Sequence, residues 1–498
     1  MKLKAAFGLM ALILLAAACS GSDPVAATST SPPPADTAPS AVTVSEAPPP
    51  NAVAPIAVVP AEDLHRFARI FLIRRQLPDL LSLIRSMGAT GDPRWVPYLL
   101  DLRLVSAPEA FEEVQDALEA VTGVVPPDTP TELFVHYGAW MYNAAIDAGQ
   151  EYVVWKAELY GLIDGRFSDL ILQIGDPVLA GQLQWGGTTI GGIPELNDQR
   201  TISAEEADYM TPDELTFGAV INGQARSYPH RILDFHELAN DTLAGEPVAL
   251  ANCTLCRTGM LFSRTVGDRV LDFKTSGLLW NSNKVMVDVQ TGTLWRQLTG
   301  EAIAGELEGT VLDVFPLTVT LYGDWIAEHP ETDVVAIPGG GRSLNTGDAS
   351  IPVDVGYSYE PNDAYSSYYG SEDLWFPTFD VPDAFDAKDQ VATVDLGDAQ
   401  IAVGVAALAD SGPQLLTVGS VRLLVVSTDA GARFYSVPEA SSLAKADDGA
   451  VTLPPGVVAG EEGIDVDGIA MARLASSQSF WFAWYRNFPE TDWWPATP

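Results

Sequence analysis

The spacing of apolar residues predicts that the first folded part of the chain is helical. In four segments, apolar side chains recur every three or four positions: 64–84, 109–121, 133–148 and 152–163. This spacing places them on one face of an α-helix. Asp92 and Pro93 fit a helix N-cap followed by a proline at the first helical position. The segment that they open resembles one helix of a HEAT-type repeat. These patterns predict a helical domain over residues 61–184.

The pattern changes at about Trp185, where paired glycines and Pro194 interrupt the helical spacing. From Leu215 onward, short apolar runs alternate with glycine, aspartate and asparagine, which is typical of strands joined by turns. Four of these runs lie at 217–221, 248–251, 270–273 and 284–289. We therefore predict an α+β fold, in which a helical N-terminal domain with HEAT-like helices precedes a β-rich body.

The β-rich body contains an internal repeat. The nine residues from Trp325 (WIAEHPETD) resemble those from Trp484 (WYRNFPETD), with the tryptophan and the PETD run in register. Looser matches pair 220–228 with 394–403 and 259–262 with 431–434. Internal repeats indicate duplicated structural units. We predict a duplicated body, with a first β-rich module at 185–345, a tyrosine-rich connecting loop at 346–390 and a second, degenerate module at 391–498.

The connecting loop is rich in aromatic residues, namely Tyr357, Tyr359, Tyr365, Tyr368, Tyr369, Trp375 and Phe376. Long loops are often functional, and tyrosine and tryptophan surfaces suit sugars or other proteins. The same rings would also serve as packing between the two modules. A protein or glycan partner and internal packing therefore remain two open interpretations of this loop.

The N-terminal residues resemble a bacterial export signal. Lys2 and Lys4 precede an apolar run at 9–18, which is too short to span a bilayer as a mature helix. Three alanines then precede Cys19, and this order resembles a lipobox, in which the cysteine is acylated and becomes the mature N-terminus. The alternative is an ordinary cleaved signal with an incidental cysteine. We predict a signal peptide at 1–18 and lipidation of Cys19.

Residues 19–60 are rich in proline, alanine, serine and threonine, a composition that cannot bury a core and favours extended conformations. We predict that this segment tethers the folded body to a membrane through the lipid anchor. The protein would then be exported and lipid-anchored in the cell envelope. Ser20, rather than an aspartate, follows the cysteine and favours the outer membrane if the cell is Gram-negative.

The charge balance excludes one class of partner. The 498 residues include 27 basic and 66 acidic side chains, for a formal net charge of −39. Such a surface repels phosphate backbones, so we expect no nucleic acid partner. The acidic excess fits solubility in salty surroundings. The chain has three cysteines, so lipidation of Cys19 would leave only Cys253 and Cys256, too few for a disulfide framework.

Unusual polar residues are densest between 228 and 300, and the candidate functional residues lie there. The candidate metal ligands are Cys253, Cys256 and His236, because thiolate and imidazole are ligands for copper or zinc. A further polar cluster would line the site or orient the ligands. Its members are Glu237, Asp241, Arg264, Ser276, Asn281, Asp288, Thr291, Trp295 and Gln297.

The residues of this region carry a family resemblance. The runs at 230–264 (HRILDFHELANDTLAGEPVALANCTLCRTGMLFSR) and 276–305 (SGLLWNSNKVMVDVQTGTLWRQLTGEAIAG) resemble domain-of-unknown-function family 3179, over about 200–480. The resemblance implies a helical N-terminal region but no activity, because the family is defined by its lack of one. The chain departs from the family pattern at Phe235, Thr254 and Arg257, where the family commonly has tryptophan, proline and glycine.

Three interpretations of the Cys253–Cys256 pair remain open. The first is a structural disulfide or a pair of buried thiols. The second is a redox pair, in which Arg257 stabilises the thiolate if its side chain points inward. The third is a copper or zinc site with His236. No nucleophile elbow, zinc-protease motif, phosphate-binding loop or dinucleotide fingerprint is evident in the sequence.

These observations lead to competing hypotheses of function. The leading one is an envelope-anchored lipoprotein with a metal-binding or redox site in the first module. The alternative is a non-catalytic envelope scaffold that binds proteins or glycan, with structural cysteines. A third is a thiol-dependent enzyme, in which the carboxylates near His236 act as acid or base groups beside a thiolate.

Overall fold

The computed structural model describes residues 77–495, apart from 107, 126–129, 338–358, 362–363, 440, 442, 444 and 447–448. The predicted signal peptide, Cys19, the tether and the first part of the predicted helical domain lie outside the described residues. Within the described part of the chain, no helix is long and apolar enough to cross a membrane.

The N-terminal part is helical, as the apolar spacing predicts. Its helices are α1 (Leu77–Gly88), α2 (Val96–Val105), α3 (Phe111–Thr122), α4 (Pro130–Ala144), α5 (Gln150–Gly161), α6 (Arg166–Leu172) and α7 (Pro177–Gln182). The backbone N–H of Arg94 donates to Asp92 Oδ1 at 3.0 Å, which confirms the predicted cap. The capped segment begins as a single 3₁₀ turn, Pro93–Trp95, and continues as α2.

A β-rich body follows, which confirms the predicted α+β fold. The strands up to the undescribed gap are β1 (Leu183–Trp185), β2 (Leu196–Asn197), β3 (Thr201–Ser203), β4 (Leu215–Ile221), β5 (Gln224–Pro229), β6 (Leu238–Leu243), β7 (Glu246–Cys253), β8 (Thr258–Ser263), β9 (Thr265–Val266), β10 (Arg269–Val270), β11 (Phe273–Trp280), β12 (Asn283–Asp288), β13 (Leu294–Arg296), β14 (Ala302–Ala304), β15 (Val314–Phe315), β16 (Thr318–Leu321) and β17 (Asp333–Val335). Two helices interrupt them, α8 (His230–His236) and α9 (Tyr322–Glu328).

These strands form three five-stranded sheets and one two-stranded ribbon, β9–β10. The strand orders of the larger sheets are β1-β11-β12-β13-β14, β15-β8-β7-β6-β2 and β16-β4-β5-β17-β3. In the first sheet, the helical domain contributes its last extended segment, because β1 follows α7 directly and pairs antiparallel with β11. The helical region is therefore joined to the β-rich body by backbone hydrogen bonds as well as by side-chain packing.

The C-terminal part contains a helix, α10 (Ser366–Tyr369), and a second set of strands. These are β18 (Gln390–Asp395), β19 (Gln400–Gly404), β20 (Gln414–Val418), β21 (Val421–Ser427), β22 (Ala432–Ser436), β23 (Ile464–Val466), β24 (Ile469–Met471), β25 (Ser477–Phe480) and β26 (Asp492–Trp494). Helices α11 (Val405–Ser411) and α12 (Trp481–Asn487) accompany them. The sheets have the orders β25-β18-β19-β26, β20-β21-β22 and β23-β24.

One sheet of each set has the same local topology. The β4–β5 and β18–β19 pairs are antiparallel, and each first strand takes an antiparallel neighbour, β16 or β25. A helix then leads to a final strand that pairs parallel with the second strand, as β17 does with β5 and β26 with β19. This shared order supports the predicted duplication.

The repeated WxxxxPETD residues form the same corner in both sheets. Trp325 Nε1 donates to Thr332 Oγ1 at 2.9 Å, and Trp484 Nε1 donates to Thr491 Oγ1 at 2.9 Å. Both indoles are buried, where an unpaired N–H would be costly. The tryptophan and threonine of the repeat therefore tie the end of a helix to the strand that follows.

The largest apolar cluster among the described residues draws side chains from the helical region, the first module and the C-terminal part. It contains Tyr152 and Trp155 of the helical region, Cys253 and Cys256 of the first module, and further side chains from the C-terminal part, among them Tyr368, Phe480 and Trp481. The cysteines consequently lie where the helical region and both sets of strands meet.

Candidate functional site

The cysteine pair occupies a tight turn between two central strands. Cys253 is the last residue of β7, Thr254–Cys256 forms one 3₁₀ turn, and β8 begins at Thr258. Arg257 closes the turn in the left-handed region, with φ 47° and ψ 47°. The two Sγ atoms lie 3.0 Å apart, and both cysteines are buried and unbonded to each other. The turn therefore holds two thiols in direct contact.

The hairpin between β11 and β12 carries polar groups to Cys256. Asn281 and Ser282 both have positive φ angles at its tip, the conformation of a type I′ turn. The turn brings the Ser282 carbonyl oxygen within 3.5 Å of Cys256 Sγ, and Asn283 Nδ2 donates to the same sulfur at 3.2 Å. Gln297 Oε1 accepts a second hydrogen bond from Asn283 Nδ2 at 2.9 Å. Gln297 thus orients the amide that contacts Cys256.

A buried ion pair lies on the Cys253 side of the turn. Lys284 Nζ pairs with Glu237 Oε2 and also donates to Thr275 Oγ1 at 3.2 Å. Thr254 Oγ1, inside the cysteine motif, donates to Glu237 Oε1 at 3.0 Å. All of these side chains are buried. A carboxylate and an ammonium group are therefore held next to the thiols, and their charges compensate each other.

The surroundings shift the pKa values of the two thiols in opposite directions. Burial by itself raises the pKa of Cys253, but the hydrogen bond shared with Cys256 and one from the backbone N–H of Lys284 bring that pKa below its ordinary value. Burial and the hydrogen bond with Cys253 raise the pKa of Cys256 well above its ordinary value. Cys253 is therefore the sulfur that becomes a thiolate first, and Cys256 is the one that keeps its proton.

Tyrosines of the connecting segment cover the pair. The Tyr368 hydroxyl donates to the Leu255 carbonyl oxygen at 3.0 Å, and burial raises the pKa values of Tyr365, Tyr368 and Tyr369. Lys388 lies over the Tyr368 ring, with Nζ 3.4 Å from its centroid. These rings pack against the core rather than forming an open aromatic surface, and Tyr357 lies outside the described residues. The packing interpretation of the loop is therefore the one that fits its described tyrosines.

His236 does not complete a metal site with the cysteines. Its Nδ1 lies 2.6 Å from the Pro194 carbonyl oxygen, its Nε2 lies 2.5 Å from the Tyr359 hydroxyl, and burial lowers its pKa to about 4. Among the described residues, no group of three histidine, cysteine, aspartate or glutamate side chains is arranged to hold a metal ion. The described structure therefore does not bring His236 to the cysteines as a shared copper or zinc ligand, because both of its ring nitrogens are hydrogen-bonded elsewhere.

Only part of the predicted polar cluster lies at the cysteines, namely Glu237 and Gln297. Asp241 accepts hydrogen bonds from Arg226 and from the Tyr228 hydroxyl, the latter at 2.7 Å. Arg264 pairs with Asp272 and donates to the Asp241 carbonyl oxygen at 3.2 Å. Asp241 and Arg264 thus hold strands together at a distance from the thiol contacts.

The remaining members of the cluster stabilise turns. Asp288 Oδ1 accepts from the backbone N–H of Thr291 at 2.6 Å, and Asp288 Oδ2 accepts from Trp295 Nε1 at 3.0 Å. Ser276 Oγ donates to the Val285 carbonyl oxygen, where the β11–β12 register shifts. Asn281 connects the hairpin tip to the helical region, because its backbone N–H donates to the Tyr142 hydroxyl at 2.9 Å. These contacts stabilise turns and connections between segments, and they involve neither cysteine.

A cavity of about 290 Å³ lies beside the cysteine turn. Its wall includes His230 and Asp234 of α8, together with Arg257 and Tyr369. The Arg257 guanidinium carbon lies 4.9 Å from the centroid of the Tyr369 ring. Arg257 therefore faces this cavity. The positive charge that acts on Cys253 belongs to Lys284, and not to Arg257 as the sequence suggests.

Burial shifts the titration of both α8 side chains at the cavity. Burial and, to a smaller extent, the charge of Arg257 lower the pKa of His230 to about 3, so the imidazole is neutral. Burial raises the pKa of Asp234 to about 7, although Asn252 Nδ2 donates to its Oδ1 at 3.0 Å. Groups with such shifts in a concave site are candidates for ligand binding or proton transfer.

Two important residues, Lys284 and Thr254, are absent from the candidates predicted from sequence. Lys284 lies in β12, all of whose residues are buried. A lysine inside a buried strand needs a charged partner, and this is the signal that the sequence offers. Thr254 carries no such signal, because its contact with Glu237 depends on the geometry of the 3₁₀ turn.

Comparisons with known proteins agree with the resemblance found in the sequence. The sequence model of a family described as "Protein of unknown function (DUF3179)" matches residues 190–491. No curated protein and no solved structure matches the chain. The match includes the cysteine turn, the β11–β12 hairpin, the cavity and both copies of the tryptophan corner.

Proposed function

Since the chain belongs to the family of proteins of unknown function DUF3179, whose name carries no activity, we propose a function from its site alone. The protein is an exported, lipid-anchored envelope protein whose first module contains a redox-active dithiol, Cys253 and Cys256. The anchor is the lipidated Cys19, and the tether at 19–60 carries the folded body. The observation that supports the redox site is the contact of two buried, unequal thiols in one turn.

The distance between the sulfur atoms favours reversible oxidation. A disulfide bond is about 2.05 Å long, and the Sγ atoms are already 3.0 Å apart. Forming the bond therefore requires a shift of about 1 Å, within the reach of side-chain rotation.

The inequality of the thiols supports a direction of reaction. The Cys253 thiolate attacks one sulfur of a substrate disulfide, a new S–S bond forms, and the other substrate sulfur leaves as a thiolate. Cys256 then gives its proton to that thiolate and attacks the Cys253 sulfur, which releases the second substrate thiolate, and this thiolate takes up from water the proton that Cys253 lost on ionisation. The products are the Cys253–Cys256 disulfide and two thiols, so the substrate disulfide is reduced by two electrons.

The tyrosine cover restricts this exchange. Cys253 and Cys256 are 2% and 0% exposed, and Tyr368 is hydrogen-bonded over the turn. A disulfide substrate therefore reaches Cys253 only when α10 moves away from the turn. Such a cover suits a reductant that must be protected from oxidation until its partner binds.

A redox titration tests the proposed dithiol. The full chain is equilibrated in thiol–disulfide buffers of graded potential, quenched in acid, unfolded and alkylated, and the modified thiols are counted by mass. We expect one reversible two-electron transition between about −270 and −120 mV, the range of exchange-active pairs. A midpoint below about −300 mV would instead identify a structural disulfide, and the absence of any transition would identify inert buried thiols.

Two matched variants test the assignment of the two sulfurs. Cys256→Ser retains the Cys253 nucleophile but cannot resolve a mixed disulfide, so we expect it to accumulate a glutathione adduct. Cys253→Ser retains only the thiol of higher pKa and should accumulate much less adduct under the same conditions. Equal adduct formation in the two variants would overturn the assignment of Cys253 as the attacking residue.

The metal-binding and scaffold hypotheses are not part of this proposal. The cysteines have no third metal ligand among the described residues. The described tyrosines that would recognise a protein or glycan are largely packed inside the chain. A protein or glycan partner therefore stays a prediction from sequence.

A further inference from the structure

The cavity beside the cysteine turn has the size of a small-molecule site. Its volume of about 290 Å³ lies near the lower end of the range for small-molecule pockets, about 300 to 1,000 Å³. Three parts of the chain contribute to its lining: residues 211 and 213–215, helix α8, and residues 360, 361, 364, 366 and 369. Arg257 contributes to the wall from the cysteine turn. A compact organic molecule fits this space.

Two arginines line the cavity, and only one of them has a carboxylate partner among the described residues. Arg231 Nε pairs with Glu214 Oε2 at 2.6 Å, and Arg231 also donates to the Tyr209 carbonyl oxygen at 2.6 Å. The Arg257 guanidinium makes no hydrogen bond or ion pair with any described residue, and it contacts the face of the Tyr369 ring. The wall therefore contains a planar group with unused donors and a full positive charge.

The groups next to Arg257 do not neutralise it. Asp234 is kept largely protonated below neutral pH by burial, so that its carboxyl group can donate a hydrogen bond. His230 is neutral and stacks on Phe217, with ring centroids 3.9 Å apart, and its Nε2 has no hydrogen-bond partner among the described residues. The inner wall thus offers one unpaired cation, one acid proton and one imidazole nitrogen.

We propose that this cavity binds a compact monocarboxylate, whose two oxygens accept the parallel N–H groups of Arg257 while Asp234 donates to one of them. Paired hydrogen bonds from an arginine fork match the geometry of a carboxylate. The backbone geometry places the arginine here at a cost, since a φ of 47° disfavours residues other than glycine by roughly 1 kcal/mol. The proposal does not depend on the redox chemistry of the cysteines.

Carboxylates at the outer part of the cavity disfavour ligands that carry several negative charges. Asp213 and Glu360 are exposed members of its lining, and both carry carboxylates. Together with the net charge of −39, they repel ligands with several negative charges. A single carboxylate that reaches Arg257 with an uncharged or cationic remainder is therefore preferred over a phosphate ester.

Calorimetric titration of the full chain near pH 6 tests the site with simple probes. We expect acetate and benzoate to bind, and benzamide, which has the shape of benzoate without its charge, to bind at least tenfold more weakly. Arg257→Gln should weaken benzoate binding at least tenfold. Arg257→Lys keeps the charge without the fork, so it should weaken binding less and preserve the preference for benzoate.

Matched controls separate this site from general charge effects. Arg269→Gln removes an exposed arginine whose ion-pair partner in the described part of the chain is the exposed Glu306, so it changes the net charge equally and should leave benzoate affinity unchanged. Thermal unfolding of each variant checks that the fold is retained. The proposal is overturned if acetate and benzoate fail to bind at millimolar concentration, if Arg257→Gln binds benzoate as well as the parent, or if inorganic phosphate binds more tightly than acetate.

Discussion

Lys284 forms an ion pair with Glu237 beside Cys253, so its positive charge acts on both the Glu237 carboxylate and the Cys253 sulfur. Both side chains are buried, which strengthens their effect on nearby titrating groups. The charge of Glu237 raises the pKa of Cys253, and the charge of Lys284 lowers it. The pair therefore sets how much thiolate is present at a given pH.

Substitutions in this ion pair should move the Cys253 pKa in opposite directions. Lys284→Met removes the cation and leaves Glu237 unpaired, so the pKa should rise, by roughly one unit. Glu237→Gln removes the anion and frees Lys284, so the pKa should fall by a similar amount. The ultraviolet absorbance of the thiolate, followed against pH in the reduced protein, measures both shifts. Movement of the two variants in the same direction would contradict this electrostatic assignment.

Asp234 should make stability depend on pH. Its folded pKa of about 7 lies above its ordinary value because of burial, with Asn252, Tyr369 and Arg257 opposing the rise and Glu237 adding to it. A raised carboxyl pKa contributes stability below the unfolded pKa, and this contribution is lost as pH rises through about 7. Between pH 5 and 8, the stability of Asp234→Asn relative to the parent should therefore increase by roughly 2 to 3 kcal/mol. Chemical denaturation at both pH values measures this difference, and a constant difference would contradict it.

The two tryptophan corners should respond alike to the loss of their threonine hydroxyl. Thr332→Val and Thr491→Val keep the shape but leave a buried indole N–H unpaired, so each should cost roughly 1 to 3 kcal/mol. Thermal unfolding of both variants provides the measurement. Ser367→Ala removes the hydroxyl of an exposed residue and is the control, because it should leave the unfolding temperature nearly unchanged. A large effect at one corner and none at the other would argue against equivalent roles.

The buried charge of the helical region should be strongly coupled to its partner. Asp101 accepts from the hydroxyls of Tyr152 and Tyr160 at 2.6 Å and pairs with Lys156 Nζ at 3.1 Å. Lys156→Met leaves that carboxylate without its cation, which typically costs about 3 to 5 kcal/mol. The double variant with Asp101→Asn should be more stable than the sum of the single effects predicts. Additive losses in thermal unfolding would show that the pair is not coupled.

Lipidation at Cys19 should decide whether the protein stays at a membrane. Stable anchoring takes more than one acyl chain, so Cys19→Ser should move the protein from the membrane fraction to the soluble fraction and abolish labelling with radioactive palmitate. Cys253→Ser is the matched control and should keep both properties. Equal labelling of the parent and Cys19→Ser would contradict the anchor.

The chemical arrangement of the site was only partly predictable. The cysteine spacing places two sulfurs within reach of each other, and the structure confirms that contact. His236 is close to the cysteines in sequence, yet its ring nitrogens are hydrogen-bonded to Pro194 and Tyr359. Arg257 adjoins Cys256 but faces the cavity, because the left-handed turn at that residue redirects its side chain. Neighbours in sequence are therefore poor guides to neighbours at this site.

The sequence by itself determined the class of fold, the family and the repeated tryptophan motif. These properties follow from periodicity and local chemistry, since apolar spacing sets whether a segment is helical or extended. Only the tertiary structure decided which charges face the thiols. Lys284 reaches Cys253 through the β11–β12 hairpin, and the tyrosines near 368 cover the turn after an intervening segment of more than a hundred residues. Such contacts depend on strand register and chain crossing, which a pattern of local residues does not encode.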